Sequence, residues 1–294
     1  MAKIKDGPKV VGIGELLWDM LPEGKRAGGA PINFVYHAAR LGARGCAVSA
    51  VGGDTLGSEI LAELAKNGIE HCIARLDYPT GTVLVKLDDK GVPSYDITEN
   101  VAWDHIPLTQ EALASVAEAE AICYGTLASR SEESAKSVIE LLSRCPKEAL
   151  RFYDINLRGN YYNAELVKRL IGKANVFKIN DEELLILKRL LALKGDGAQI
   201  CRALLKEYNL RYLILTAGAK YSEVYWHGGV SRVDTPQVKV VDTVGAGDSF
   251  SGAFVYGILS GMNVEQAHKL AVEVSAYVCT RSGAWPKYER KQFL

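Results

Sequence analysis

Short apolar, β-rich runs alternate with longer stretches of helical periodicity along most of the chain, and this alternation narrows the fold more than any other feature. KVVGIG (9–14), CAVSAV (46–51), AICYG (121–125), LRFYD (150–154), NVFKI (175–179) and RYLILT (211–216) read as strands. PINFVYHAARLG (31–42) reads as a helix: Pro31 suits the first turn, Ile32, Val35, Tyr36 and Ala39 share a face, and Gly42 stops it. SEILAELAKNG (58–68) is a second helix, with further helical patterns near 131–144, 163–173, 181–194 and 197–208. Alternating strands and helices predict a mostly parallel sheet covered by helices on both faces.

Two stretches break the rhythm. TGTVLVKLDDKGVPSYDIT (80–98) holds two β runs joined by DDKG, a hairpin signal, and ELLWDML (15–21) supplies another short strand. Together they predict a small sheet beside the main one, drawn from about 15–24 and 78–103. The stretch around Tyr225–Gly229 is a second β insertion. No linker or internal repeat divides the chain, so one domain over 1–294 is expected. With 48% hydrophobic and 24% charged residues the chain should pack a core rather than stay disordered. Lys+Arg and Asp+Glu are 35 each, which disfavours general nucleic-acid binding and makes any anion site local. The six cysteines have no CxxC spacing, so they read as small buried hydrophobes in a reducing compartment. MAKIKDGPKVV has no apolar signal core and no run of about 18 apolar residues exists, so a cytoplasmic protein without membrane contact is expected.

VVDTVGAGDSFSGA (240–253) places Gly245, Ala246 and Gly247 between a β-branched run and an apolar, helix-like run. Small residues let a backbone approach a ligand, and the amides of a helix start form a concave anion site. Yet the next residue, Asp248, is an anion. An N-cap role would also explain an aspartate there. The turn is not a Walker A loop, because no GKS or GKT follows, and not GxGxxG, because Phe250 stands at the third glycine position. VGIGELLWD fails in the same way at Leu17, which disfavours a nicotinamide-dependent oxidoreductase. Phosphoryl transfer gives both groups work: the amides hold the phosphoryl oxygens while the carboxylate accepts a proton from the attacking hydroxyl.

On these residues the chain resembles the ribokinase-like (PfkB) carbohydrate kinases. GGAPINFVYHAARLGARGCAVSAVGGDTLG (28–57) is similar to that family's first signature and DTVGAGDSFSGAF (242–254) to its second. The resemblance implies an α/β fold, a three-layer α/β/α sandwich with a mostly parallel central sheet and a small β-sheet lid. It makes Asp248 the catalytic base and Gly245, Ala246 and Gly247 the anion hole, with Thr243 shaping it. Asp19 in GELLWDMLP, Gly28, Gly29 and Asn33 would bind the sugar, the Asn33 amide offering donor and acceptor to a vicinal diol. KINDEEL (178–184) resembles the NxxE element through Asn180 and Glu183, and is also close to a capping box. It implies Mg2+ with ATP, linked to Glu183 through water. LTAGAKYS (215–222) resembles the nucleotide-side loop at Thr216 and Gly218, but Tyr221 departs from a position that is often glycine. The adenine end would lie near 233–240 and 276–280. Asp242 and Val244, with 282–284, match positions that hold a monovalent cation such as K+.

Several stretches resemble fructokinases in particular: GGAPINF, YGTLASRS (124–131) and FYDINLR (152–158), the last with Asp154, Asn156 and Arg158. FYDINLR also fits a strand end with an Asx turn, Arg130 a solvated charge, Arg158 a surface ion pair, and Trp103 a packing residue rather than a sugar platform. The expected activity is transfer of the γ-phosphoryl of ATP to a primary hydroxyl of a ketose, fructose giving fructose 6-phosphate. A kinase of 2-keto-3-deoxygluconate or ribose, and a non-catalytic sugar-binding regulator on the same fold, are the alternatives; the retained base and anion hole speak against the regulator. The resemblance also points to a homodimer through the small sheet, where the plainer expectation is a covering flap.

Overall fold

The computed structural model describes residues 7–22, 24–87 and 93–294, so the DDKG turn signal lies outside the described residues. In chain order the strands are β1 (Lys9–Ile13), β2 (Leu17–Leu21), β3 (Gly24–Gly28), β4 (Arg44–Gly52), β5 (Glu70–Leu76), β6 (Gly81–Leu87), β7 (Pro93–Ile97), β8 (Ala121–Gly125), β9 (Leu150–Asp154), β10 (Val176–Asn180), β11 (Tyr212–Thr216), β12 (Tyr221–Trp226) and β13 (Gly229–Asp234). The helices are α1 (Ala30–Leu41), α2 (Thr55–Lys66), α3 (Gln110–Ala117), α4 (Glu132–Arg144), α5 (Ala164–Ile171), α6 (Asp181–Leu190), α7 (Gly197–Glu207), α8 (Ala246–Leu259) and α9 (Val264–Cys279).

Nine strands form one sheet in the order β13-β12-β11-β10-β9-β8-β1-β4-β5. It is parallel from β5 to β11, and β12 and β13 add an antiparallel edge. Central strands are apolar on both faces because both faces are covered. Alternate residues serve opposite layers: Val11, Ile122, Tyr153, Phe177 and Leu213 face α3–α7, while Val10, Cys123, Phe152, Val176 and Ile214 face α1, α2, α8 and α9. This is the expected three-layer α/β/α arrangement.

The second sheet has four strands in the order β3-β2-β6-β7. On β2, Leu17, Asp19 and Leu21 share one face, as a period of two requires. Trp18 points the other way and donates from Nε1 to the Leu56 carbonyl on α2 at 3.0 Å. Three elements were not legible in the sequence pattern. β5 is a half-exposed edge strand carrying Glu70, His71 and Arg75; β3 is GKRAG and exists through its pairing with β2; and α3 spans only eight residues, capped by Thr109.

Arg130 is not a solvated charge. Its guanidinium meets the Asp104 carboxylate at 2.7 and 2.8 Å, lies 4.1 Å from the Trp103 ring centre, and both charged side chains are 6% exposed. Trp103 is 1% exposed and packs within the core. Removing one partner leaves the other buried and uncompensated, so Asp104→Ala should lower stability by about 3–5 kcal/mol. Denaturant unfolding of the variant against the parent checks this, and a loss below about 1 kcal/mol, the worth of an exposed pair, would contradict it.

Candidate active site

Ligand crevices of parallel α/β sheets lie beyond the carboxyl ends of the strands. Here Glu15, Asp154, Asn180 and Thr216 stand at or just past the ends of β1, β9, β10 and β11, and all four line one cavity of about 1020 Å³. The small sheet walls the same cavity through Leu17, Asp19, Arg26, Val83 and Ile97. Every site residue expected from the sequence lines it except Gly28: Asp19, Gly29, Asn33, Arg158, Asn180, Glu183, Thr216, Gly218, Asp242, Val244, Gly245, Ala246, Gly247 and Asp248. Gly28 lies beneath Asp19, where a Cβ would come 2.8 Å from the Asp19 carboxylate.

The glycine-rich turn resolves into a left-handed Gly245 (φ 76°) that starts α8. A Cβ there would be 2.8 Å from Ala284, so glycine is required by both conformation and space. The first amides of a helix have no intrahelical acceptor; of these, Ala246 N–H turns back to the Thr243 carbonyl at 3.2 Å. Asp248 is not the N-cap. It is the third residue of α8, and its Oδ2 accepts from Asn33 Nδ2 at 2.7 Å. The Asn33 amide is engaged at both ends, since its Oδ1 accepts from Trp285 Nε1 at 2.7 Å.

Beneath this turn Lys178 donates to the Asp154 carboxylate at 2.7 Å, and Ser251 Oγ reaches the same oxygen at 3.2 Å. Both charged side chains are 8% exposed, and a methyl at Gly247 would sit 3.2 Å from Lys178 Nζ. Burial pulls the Lys178 ammonium down, but Asp154, Asp248 and Glu183 outweigh it and hold it above the ordinary lysine range. Burial raises Asp248 and Asp19. Asp248 is pushed up to about 6, with Asp154 adding to burial and the Asn33 N–H, Lys178 and Arg158 opposing. Asp19 also rises to about 6 through burial, against Arg158 and Arg26.

Glu183 accepts from Asn180 N at 3.0 Å and from Leu157 N at 2.9 Å, while Asn180 Oδ1 accepts from Glu183 N at 2.8 Å. The capping box is therefore real, and it ties α6 to the loop after β9. In that loop Asn156 has φ 37°, as an Asx-type turn at the strand end allows. Asp242 accepts from the amides of Val244 at 3.0 Å and Gly283 at 2.9 Å, and from Arg26 Nη1 at 3.2 Å, which spends its carboxylate on holding the loop. Tyr221 begins β12 under the Arg232 guanidinium, 3.6 Å from its ring centre. No cluster of three or more His, Cys, Asp or Glu shaped for a metal occurs among the described residues, nor a helix long and apolar enough to cross a membrane.

Three residues of this centre had escaped the sequence reading. Glu15 stands two residues past β1, and a charge just beyond a buried strand was its signal. Lys178 is a cation inside the apolar run NVFKI, a signal of the same kind. Trp285 carried none, because its contact with Asn33 spans 252 positions.

The architecture is ribokinase-like. A fructokinase with bound ATP from Xylella fastidiosa superposes with a TM-score of 0.83, covering 94% of each chain at 26% identity. The chain belongs to the pfkB family of carbohydrate kinases, whose family model matches residues 23–290. A fructokinase from Escherichia coli is 30% identical over 269 residues, 87% of this chain and 84% of its own. An ATP-dependent 6-phosphofructokinase from Thermoanaerobacterium thermosaccharolyticum is 27% identical over 293 residues, 94% of this chain and 89% of its own.

Glu15 offers a test of the site's electrostatics. Its Oε1 accepts from Ala30 N at 3.0 Å, capping α1 where Gly29 has no side chain to do so, and its Oε2 is buried with no partner. Burial, with Asp248 adding, pushes it up to about 7 from 4.5, against hydrogen bonds from the Glu15 and Ala30 amides and the Arg158 charge. The folded chain thus holds this proton more tightly than the unfolded chain. Its contribution to stability is full below about 4.5, falls as pH rises, and is lost above about 7. Glu15→Gln cannot ionise, so its stability relative to the parent should improve by about 1–3 kcal/mol between about pH 5 and pH 8. Denaturant unfolding at both pH values measures this; a difference independent of pH would contradict it.

Proposed function

We propose that this carbohydrate kinase transfers the γ-phosphoryl of ATP to a primary hydroxyl of a ketose, fructose giving fructose 6-phosphate. The observation that carries the proposal is the first turn of α8, where an aspartate oriented by Asn33 stands beside the small residues that open the helix. Asp248 accepts the proton of the attacking hydroxyl. The Gly245–Ala246–Gly247 turn faces the transferred phosphoryl, where the positive end of the helix stabilises the spreading charge. A carboxyl at about 6 is ionised at neutral pH and is a stronger base than an ordinary aspartate.

Asp19, Gly29, Asn33 and Arg158 hold the sugar, with Gly28 beneath Asp19, and the sugar's identity is supported by the fructokinase relatives. Asn180, Thr216 and Gly218 take the nucleotide; the Xylella fastidiosa relative, with ATP bound, supports ATP as donor. A divalent ion arriving with the nucleotide, Mg2+ in our proposal, neutralises phosphate charge. The chain fits such an ion through water at Glu183, whose oxygens are already engaged by two amides, better than as a resident ion. A monovalent cation, K+ in our proposal, would rest on the Asp242 and Val244 carbonyls. The small sheet, from about 15–24 and 78–103 of a single domain, closes over the sugar and excludes water, and a second copy pairs through it.

Purified protein with ATP, Mg2+ and a panel of sugars, followed by ADP release, tests the assignment. Fructose should give the highest kcat/KM; no release with any sugar would overturn it, and a better ketose or acid sugar would replace fructose. Asp248→Asn should lower kcat by about 10²–10⁴-fold while leaving the KM for sugar within a few-fold, since general-base work is done in the transition state. Near-parental turnover would remove Asp248 from the base role. In the parent, kcat/KM should fall as pH drops through about 6, because the protonated carboxyl cannot accept the hydroxyl proton. A profile flat from pH 5 to pH 8 would contradict that.

A further inference from the structure

The segment after α9 runs across the start of α1 and the start of α8. Gly283 N–H donates to Asp242 at 2.9 Å, and the Ala284 carbonyl lies 2.9 Å from His37 Nε2. Tyr36 OH donates to the carbonyls of Trp285 at 3.2 Å and Pro286 at 2.9 Å. The Trp285 ring stacks on Tyr36, centroids 5.3 Å apart and planes 5° from parallel. Held in this way, Trp285 donates from Nε1 to Asn33 Oδ1 at 2.7 Å, and Asn33 Nδ2 donates to Asp248 Oδ2 at 2.7 Å. Trp285 is not among the residues that line the cavity.

We infer that Trp285 is a positioning residue for the phosphoryl transfer: through its indole N–H it selects the Asn33 amide orientation that presents N–H, not C=O, to Asp248. An amide can turn either end to a neighbour, and the partners decide which. The indole is a donor only, so it can be satisfied only by Oδ1. That choice leaves Nδ2 to donate to the carboxylate. An N–H donated to a carboxylate favours its charged form, the form a base requires. With the amide reversed, Asn33 Oδ1 would face Asp248 and favour the protonated acid instead. Asp248 also feels Asp154 from the end of β9, Arg158 from the following loop, Lys178 from β10 and Glu15 from the loop after β1. The indole N–H is bonded to Asn33 and to none of these four groups, so removing it leaves their charges unchanged. The inference rests on Asp248 being the base.

Trp285→Phe keeps an aromatic ring for the stack on Tyr36 and deletes the N–H. The pH profile of kcat/KM for the sugar should then move its acid limb upward by about one unit, a roughly fivefold loss near pH 6 that recovers by about pH 8. The profile is read again in the Glu15→Gln background, because Glu15 titrates in the same window. A limb that stays at the parental pH, or an equal loss at all pH values, overturns the inference, since a purely structural role lowers the whole curve. A second measurement needs no turnover and covers a variant too weakened to assay. In protein labelled with 13C at aspartate carboxyls, the Asp248 resonance, identified by its absence in Asp248→Asn, should titrate about one unit higher in Trp285→Phe. Unchanged titration overturns the inference. Failure of the base assignment is separate: it would show as turnover surviving in Asp248→Asn.

Discussion

The close crossing of α1 and α8 is the contact on which the centre depends. A Cβ at Gly252 would lie 2.6 Å from the Phe34 carbonyl and 3.1 Å from the Ala38 amide, so only glycine lets the two helices approach this far. The crossing brings Asn33 within hydrogen-bond reach of Asp248 across 215 positions of sequence. The same demand for small residues recurs around it. Gly245 yields to Ala284, and Gly29 yields to the Glu15 carbonyl, which a Cβ would meet at 2.1 Å. Several glycines of the two signature segments are thus required by the protein's own packing, before any ligand is considered.

Charge is concentrated at this crossing and is only partly balanced. Glu15, Asp19, Asp154 and Asp248 face Lys178, Arg158 and Arg26 around one cavity. Burial lifts Glu15, Asp19 and Asp248 above the ordinary carboxylate range, while the buried Lys178–Asp154 pair anchors the start of α8 through Ser251. Such an arrangement is costly for stability, because each buried carboxylate loses hydration. It is useful for catalysis, because it raises the basicity of the group proposed to take the proton. The apparent conflict of an anion within the proposed anion site is met by tethering the Asp248 carboxylate to α1.

Much of this was legible in the sequence, and the exceptions have physical reasons. The central strands declare themselves because both faces are buried, so β8 and β9 match their expected bounds and β10 is displaced by one residue. β5 and β3 were hidden because edge strands need no continuous apolar run, and their sequences carry charges or glycine. Within the cavity, local motifs pointed to residues but not to their partners. Asn180 and Glu183 satisfied both the motif and the capping box, and only the fold adds the bond from Glu183 to Leu157. Asn33 read as a sugar ligand, and only the fold adds that its amide also bonds Asp248 and Trp285. Contacts of that range depend on how α1, α8 and the final segment pack, and one chain's periodicity does not encode them.

A double-mutant cycle between Asn33 and Asp248 tests the central claim most directly. Residues that act as one unit are non-additive, whereas independent residues multiply their effects. With kcat measured for the parent, Asn33→Ala, Asp248→Asn and the double variant at about pH 7.5, the account predicts that Asn33→Ala lowers kcat clearly in the parent. Once Asp248 is asparagine, the same change should have little further effect. An Asn33→Ala loss of the same size in both backgrounds would contradict the claim that Asn33 works by orienting Asp248.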